Sequence, residues 1–148
     1  MWRFNLRRSI AQPRFDRFKC EIAVAYADAL IATGDPRLVP ALIARLGNNS
    51  DNFHTISVGQ RNEEYTCCLD DHHLYILLGL IGQSPKEHQL HVKSYKSPEG
   101  TVSEIRGFTS AQSRATAYAN MRTWWTEHKN QPPYKNLQPL PKPAVKVK

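Results

Sequence analysis

Cysteine is scarce in this sequence, and its placement does not suit a disulfide framework. The chain of 148 residues holds three cysteines, Cys20, Cys67 and Cys68. The count is odd, and neighbouring residues such as Cys67 and Cys68 seldom reach disulfide geometry. Buried free thiols are therefore predicted, which favours a reducing, cytoplasmic compartment. The N-terminal residues also lack the apolar core of a secretory signal, although an exported form that had lost its signal would look the same.

Long apolar runs and glycine-rich motifs are also missing. The longest apolar run, Leu74 to Ile81, is far too short to cross a bilayer. Only seven glycines are present, and none forms a phosphate-binding loop or a nucleophile elbow. An HExxH zinc signature does not occur either. These absences favour a protein that binds over one that catalyses, and no cofactor is predicted.

Acidic residues are nearly absent from the two ends of the chain. Residues 1–19 hold six basic residues against Asp16, and residues 129–148 hold five lysines and no acidic residue. The stretch between these ends is mildly acidic. We therefore expect three parts, which are a basic N-terminal segment (1–11), one helical domain (12–130) and a disordered tail rich in proline and lysine (131–148).

Apolar side chains recur at helical spacing in three parts of the chain, at 13–47, 70–82 and 109–129. Gly34 suits the end of a first helix, and Asp35 suits the cap of the next. Because this connection is short, the first two helices should pack antiparallel as a hairpin. The helix at 70–82 is apolar almost all round and is predicted to be the most buried element.

Two segments between the helices break this periodicity. Residues 48–68 and 92–107 contain β-branched and aromatic residues around polar or glycine-containing turns. Each segment is predicted to be either a short β-hairpin or an irregular loop.

The first helical pair carries a resemblance to a known family. Residues 23–46 read AVAYADALIATGDPRLVPALIARL, with an alanine-rich first helix, a Gly-Asp-Pro-Arg turn and Val-Pro-Ala-Leu in the second helix. This stretch resembles the HEAT-like repeat of the phycobilin-lyase type. LYILLGLIGQ at 74–83 and ANMRTWWTEHK at 119–129 are similar to later helices of such proteins.

The resemblance implies a mainly α fold of packed, antiparallel helical hairpins, with the two strand-like segments as insertions. Family members are mostly protein-binding scaffolds, and a few act on bilins, but this sequence matches no catalytic motif that could be carried over. The leading expectation is a non-enzymatic scaffold, adaptor or immunity-type protein, the last by analogy of size and architecture. Its partner surface would be flanked by the segments 48–68 and 92–107.

Five aromatic residues are candidate anchors for a protein partner, because large aromatic side chains are enriched in interface hot spots. Trp124 and Trp125 are neighbours on the last helix, so they cannot both face one core. Phe53, Tyr65 and Tyr95 lie in the two segments that break the helical pattern. The alternative for the two tryptophans is that both seal the end of a small core.

The run Asp70-Asp71-His72-His73 is the most site-like cluster in the sequence. Carboxylates and neutral imidazoles can bind zinc or related ions, which makes His72 and His73 candidate metal ligands. Successive side chains on a helix point in different directions, so the four cannot all meet one ion. The alternative interpretation is a helix N-terminus with capping carboxylates and solvent-facing imidazoles.

Two further functions stay open at this point. The basic ends could hold nucleic acid or an anionic surface by neutralising phosphates. A metal-dependent role could use the cysteine, aspartate and histidine cluster at 67–73. A protein partner is the leading expectation, and the sequence leaves the oligomeric state open.

Overall fold

A computed structural model describes residues 26–47, 54–58, 63–96, 100 and 102–142 of the chain. In chain order these residues form the described part of a helix α1 (26–33), α2 (Leu38–Arg45), β1 (His54–Val58), β2 (Glu63–Cys67), α3 (Leu69–Ile81), a 3-10 turn (Pro85–His88), β3 (His91–Lys96), β4 (Val102–Gly107) and α4 (Ala111–His128). None of the helices within these ranges has the length and apolar character needed to span a membrane.

A tight turn joins α1 to α2, as the sequence predicts. Gly34 follows α1 with a φ of 59°, a left-handed conformation that favours glycine. The Asp35 carboxylate accepts hydrogen bonds from the backbone N–H of Arg37 at 2.9 Å and from its guanidinium at 2.7 Å. Asp35 therefore fixes the backbone just before α2, but the N-cap residue of α2 is Arg37 and not Asp35 as predicted.

Helix α3 is the centre of the core, as its apolar composition predicts. Leu74, Leu77 and Leu78 are fully buried in a cluster that also contains side chains from α2 and α4. The start of the helix differs from the prediction, because Cys68 and not Asp70 is the N-cap residue. The Asp71 carboxylate reaches back to accept the Cys68 backbone N–H at 3.1 Å.

The two irregular segments contain β-hairpins rather than loops. β1 pairs antiparallel with β2 over five residue pairs, and β3 pairs antiparallel with β4 over six. Thr66 and Phe108 exchange backbone hydrogen bonds of 2.8 and 3.0 Å, which connect β2 to the residue that follows β4. Gly107 permits this approach, because a Cβ atom there would collide with the Thr66 carbonyl oxygen.

The expected mainly α fold of packed, antiparallel helical hairpins is therefore wrong. The described residues form a mixed α and β structure, in which two antiparallel strand pairs lie among the helices. Tyr65, Cys67 and Ile105 of β2 and β4 form a small buried cluster, and Phe108 is fully buried in the main core. The strands supply part of the core, so they are not insertions on a helical solenoid.

Helix α4 begins at Ala111 and completes the main core. The Ser110 hydroxyl caps it by accepting the Ser113 backbone N–H at 3.1 Å, one residue later than the predicted start at Thr109. The buried residues of this helix are Arg114, Ala117, Tyr118 and Met121. Their spacing defines the face that α4 turns towards the core.

Candidate functional site

A buried network of polar side chains centres on Asp71, near the start of α3. The Asp71 carboxylate is fully buried and accepts two hydrogen bonds from the Arg114 guanidinium, each 2.9 Å long. It also accepts the Tyr118 hydroxyl hydrogen at 2.7 Å and the Cys68 backbone N–H at 3.1 Å. Arg114 donates further to the Thr66 carbonyl oxygen at 2.7 Å. These bonds tie β2, α3 and α4 together, which gives the network a structural role.

The same surroundings keep a neighbouring hydroxyl and thiol protonated. Burial, followed by the negative charge of Asp71, raises the pKa of Tyr118 well above its ordinary value. The same two causes raise the pKa of the Cys68 thiol. Cys68 borders a cavity of about 220 Å³ together with Ala111 and Ala115. Because the thiolate is the nucleophilic form of cysteine, a raised pKa makes the Cys68 thiol less nucleophilic.

The predicted metal ligands His72 and His73 lie in different surroundings on α3. His73 Nδ1 is 3.3 Å from Asp70 Oδ1, and Asp70 Oδ2 accepts the Gly47 backbone N–H at 3.0 Å. His72 is buried, and burial followed by the charge of Arg106 lowers its pKa to about 4. Within the described ranges, no three histidine, cysteine, aspartate or glutamate side chains form a group that could hold a metal ion.

A second buried charge is the guanidinium of Arg106 on β4. Its Nε donates to Glu104 Oε1 at 2.8 Å, and its central carbon lies 3.5 Å from the centre of the Tyr75 ring. The terminal nitrogens Nη1 and Nη2 are buried and make no hydrogen bond. Nη2 lies 3.5 Å from Asp28 Oδ1, and the Asp28 side chain is 68% exposed. The cation is therefore buried with most of its donors unused.

A cavity of about 290 Å³ lies between α1 and α3, and Arg106 itself does not line it. Asp28 and Tyr75, which both contact Arg106, also line the cavity. The rest of its wall combines apolar groups with the Gln83 side chain, and consists of Ile31, Ala32, Gly79, Gln83 and Pro85. Gln83 Oε1 accepts the His88 ring N–H at 2.6 Å, which leaves the Gln83 amide NH₂ group as a donor.

The predicted anchors Trp124 and Trp125 are half-buried at the end of α4. The Trp124 ring stacks on His128 with 4.5 Å between ring centres. Tyr134, which follows the helix, meets the rings of Trp124 and Trp125 edge-on at 5.6 Å each. This arrangement covers part of both indoles with the chain's own side chains.

Of the other three predicted anchors, one is buried and two have no described side chain. Tyr65 on β2 is buried, and its ring lies 5.2 Å from the His91 ring. Phe53 lies outside the described residues, and of Tyr95 only the backbone in β3 is described. The structure therefore does not bring the five aromatic candidates together into one described surface.

β3 has an edge that no described strand covers, whereas Phe108, which follows β4, is bridged to β2. Its six residues pair with β4 on one side, and in the described part of the chain no strand pairs with its other side. Val92, Lys93 and Ser94 are exposed on this strand. An unpaired edge presents a row of backbone N–H and C=O groups to which another strand can add.

Sequence reasoning missed the two arginines at the centres of these polar groups. Arg106 and Arg114 follow no spacing that distinguishes them from surface arginines. An indirect signal was present at Asp71, which stands at the start of the most apolar helix. A carboxylate buried there would be costly without a cation beside it, and this requirement predicts a buried partner such as Arg114.

The resemblance to HEAT-like repeats finds no further support among known proteins. No protein-family model, no curated protein and no solved structure matches this chain.

Proposed function

We propose that this protein is a non-enzymatic protein-binding module, and that its β3 strand accepts an extended segment of a partner. The observation that supports this proposal is the outer edge of β3, which no strand covers among the described residues. An extended peptide adds to such an edge through backbone hydrogen bonds, and side-chain contacts set its specificity. β3 lies almost wholly in the segment 92–107, one of the two that the sequence favours as flanks of a partner surface.

The strand behind this edge is held firmly in place. Ile105 and Gly107 of β4 are buried, and Phe108 immediately after them lies in the main core. Phe108 is also fixed to Thr66 of β2 by two backbone hydrogen bonds. A preorganised edge lowers the entropy cost of ordering the interface when a partner binds.

The side chains of β3 favour an acidic partner segment. Lys93 is exposed on the strand, and Lys96 is its last residue. Lysine on an edge strand opposes pairing with basic or purely apolar strands, whereas opposite charges on paired strands attract. Val92 is 36% exposed and offers apolar contact to a β-branched residue. We therefore expect the partner segment to combine acidic and β-branched residues.

The proposal can be tested by selecting binders from a displayed library of random peptides. Against the full chain, we expect the selected peptides to be rich in aspartate, glutamate and β-branched residues. Their affinity should fall about five- to tenfold for Lys93→Glu, because an attractive charge pair becomes a repulsive one. Amide hydrogen exchange in the complex should slow within residues 91–96.

The matched control is Lys129→Glu, which makes the same charge change at an exposed position after α4. This variant should bind the selected peptides as the unchanged protein does. Equal losses for both variants, or protection from exchange outside β3, would show that general charge and not the strand edge governs binding. Failure to select any peptide would remove the support for a strand-accepting module.

A further inference from the structure

The terminal nitrogens of Arg106 are an unusual feature of this interior. Among the buried groups of the described residues, Nη1 and Nη2 belong to the small set of side-chain atoms without a hydrogen bond. Buried donors normally have a partner, because a donor left unmatched loses its hydrogen bonds to water without replacement. The short hydrogen bond to Glu104 uses only Nε, and the Tyr75 ring offers no acceptor in the plane of the guanidinium. An acceptor is therefore missing from this side of Arg106.

We propose that Arg106 and the cavity of about 290 Å³ between α1 and α3 form a binding site for a carboxylate. A carboxylate matches the planar fork of a guanidinium and accepts two parallel hydrogen bonds from it. The two unused terminal nitrogens of Arg106 supply the donors for that pairing. Arg106 pairs with Val92 of β3, but carboxylate binding at its guanidinium does not depend on strand addition at β3.

Asp28 occupies the position that the ligand's carboxylate would take. Its Oδ1 atom is 3.5 Å from Arg106 Nη2, which is within ion-pair range but forms no hydrogen bond. Since the Asp28 side chain is 68% exposed and also lines the cavity, its turning into solvent would open the way from the cavity to Arg106. Asp28 thus acts as a weak internal competitor that an incoming carboxylate displaces.

The cavity wall defines the rest of the ligand. Ile31, Ala32 and Pro85 provide apolar surface for a short hydrocarbon or aromatic body. The volume lies at the lower end of the range for small-molecule sites, so the body must be small. The carboxylate could belong to a free organic acid or to an acidic side chain of a bound peptide, and both sources share the same chemistry at Arg106.

Nuclear magnetic resonance of the arginine Nε–Hε groups tests the proposal at the site itself. The full chain is titrated with butyrate and benzoate, and with butyramide and benzamide as uncharged counterparts of the same shape, at constant ionic strength. A blocked tripeptide with a central glutamate is compared with its glutamine counterpart to distinguish the two sources. We expect the Arg106 signal to shift saturably with at least one carboxylate and with none of the amides.

Removing the competitor should strengthen binding. Asp28→Asn takes away a partly exposed ion-pair partner worth up to about 1 kcal/mol, so the affinity for the carboxylate should rise about two- to fivefold. Glu127→Gln is the matched control, because it makes the same charge change at an exposed position on α4. This control should leave the affinity unchanged.

Arg106→Met provides a second, independent variant. Replacing a buried charge by an apolar side chain of similar volume is often tolerated, and binding should be lost in this variant. If Arg106→Met fails to fold, the comparison of acids with amides and the Asp28→Asn variant still decide the matter. The proposal is overturned if acids and amides shift the Arg106 signal alike, if no titration saturates, or if Asp28→Asn binds no better than Glu127→Gln.

Discussion

At His72, burial couples the protonation of one side chain to the stability of the whole fold. Burial and the nearby charge of Arg106 lower the His72 pKa from 6.5 to about 4. The unfolded chain therefore takes up this proton before the folded chain does, and the free energy of unfolding falls as the pH drops from 6.5 towards 4. We expect His72 to contribute a loss of about 3 kcal/mol across that range, measured by urea unfolding at several pH values.

The control for this prediction is the variant His72→Gln, which carries no titrating group at this position. The difference in unfolding free energy between the two proteins should change through the acidic range and stay constant above neutral pH. The pKa of His88 is also lowered by burial, but His88 is present in both proteins and cancels in the difference. A difference that does not vary with pH would refute the prediction.

Single residues were predictable from the sequence where their partners are close along the chain. Gly34 ends α1 as predicted, whereas the cap of α4 is Ser110, one residue after the predicted Thr109. The ion pair between Asp71 and Arg114 joins residues that are 43 positions apart. Sequence patterns describe local periodicity, so they did not connect Asp71 to Arg114.

The packing of α1 on α3 depends on the absence of a side chain at Gly79. A Cβ atom there would lie 2.6 Å from Ile31 Cδ1 and 2.9 Å from Ile31 Cγ2. We expect Gly79→Ala to cost about 1–3 kcal/mol through overpacking, partly offset by about 1 kcal/mol of better helix propensity. Urea unfolding measures the net loss.

The double variant Gly79→Ala with Ile31→Ala shows whether this contact is the cause. Ile31→Ala makes room for the new methyl group, so the double variant should be more stable than the sum of the single changes predicts, by about 1–2 kcal/mol. If the two changes in unfolding free energy simply add, collision with Ile31 is not the cause of the loss in Gly79→Ala.

For the helices, the residue ranges were predicted better than the side chains that face the core. The ranges of α2, α3 and α4 follow the helical periodicity of the sequence closely. Apolar spacing in the sequence predicts an inner face of α4 with Ala111, Ala115, Tyr118 and Met121. Tyr118 and Met121 are buried, but Ala111 and Ala115 are exposed and Arg114 is buried. The buried Asp71 carboxylate accepts two hydrogen bonds from the Arg114 guanidinium, and this long-range pair accounts for a buried residue that hydrophobicity alone does not indicate.

For the whole molecule, the sequence led to the wrong fold class because the resemblance rests on local segments. The chain turns at Gly34 as predicted, although Arg37 and not Asp35 is the N-cap of α2, and one helical hairpin does not determine how the chain continues. Strand pairing is set by contacts between distant residues, such as the bond between Thr66 and Phe108, 42 positions apart. The hairpin of β3 and β4 was one of the two predicted forms of 92–107, but its attachment to β2 through Phe108 could not be predicted from local patterns.

The residues that follow α4 fold back and contact the two tryptophans at its end. Tyr134 meets the rings of both Trp124 and Trp125 at 5.6 Å. Removing residues 131–148 should therefore expose both indoles, shift their fluorescence to longer wavelength and lower the free energy of unfolding by about 1–2 kcal/mol. The measurement is made in a Trp2→Phe background, so that only these two tryptophans report.

Two further forms of the chain separate the aromatic contact from the basic charge of the tail. Tyr134→Ala in the full chain should reproduce the fluorescence shift, because it removes the same ring while all the tail lysines remain. A chain ending at Asn136 keeps Tyr134 but loses the later lysines, and it should retain the original emission. If the chain ending at Asn136 shifts as far as the shorter one, the later residues and not Tyr134 cover the tryptophans, and an anchor role for Trp124 or Trp125 would then require the tail to move aside.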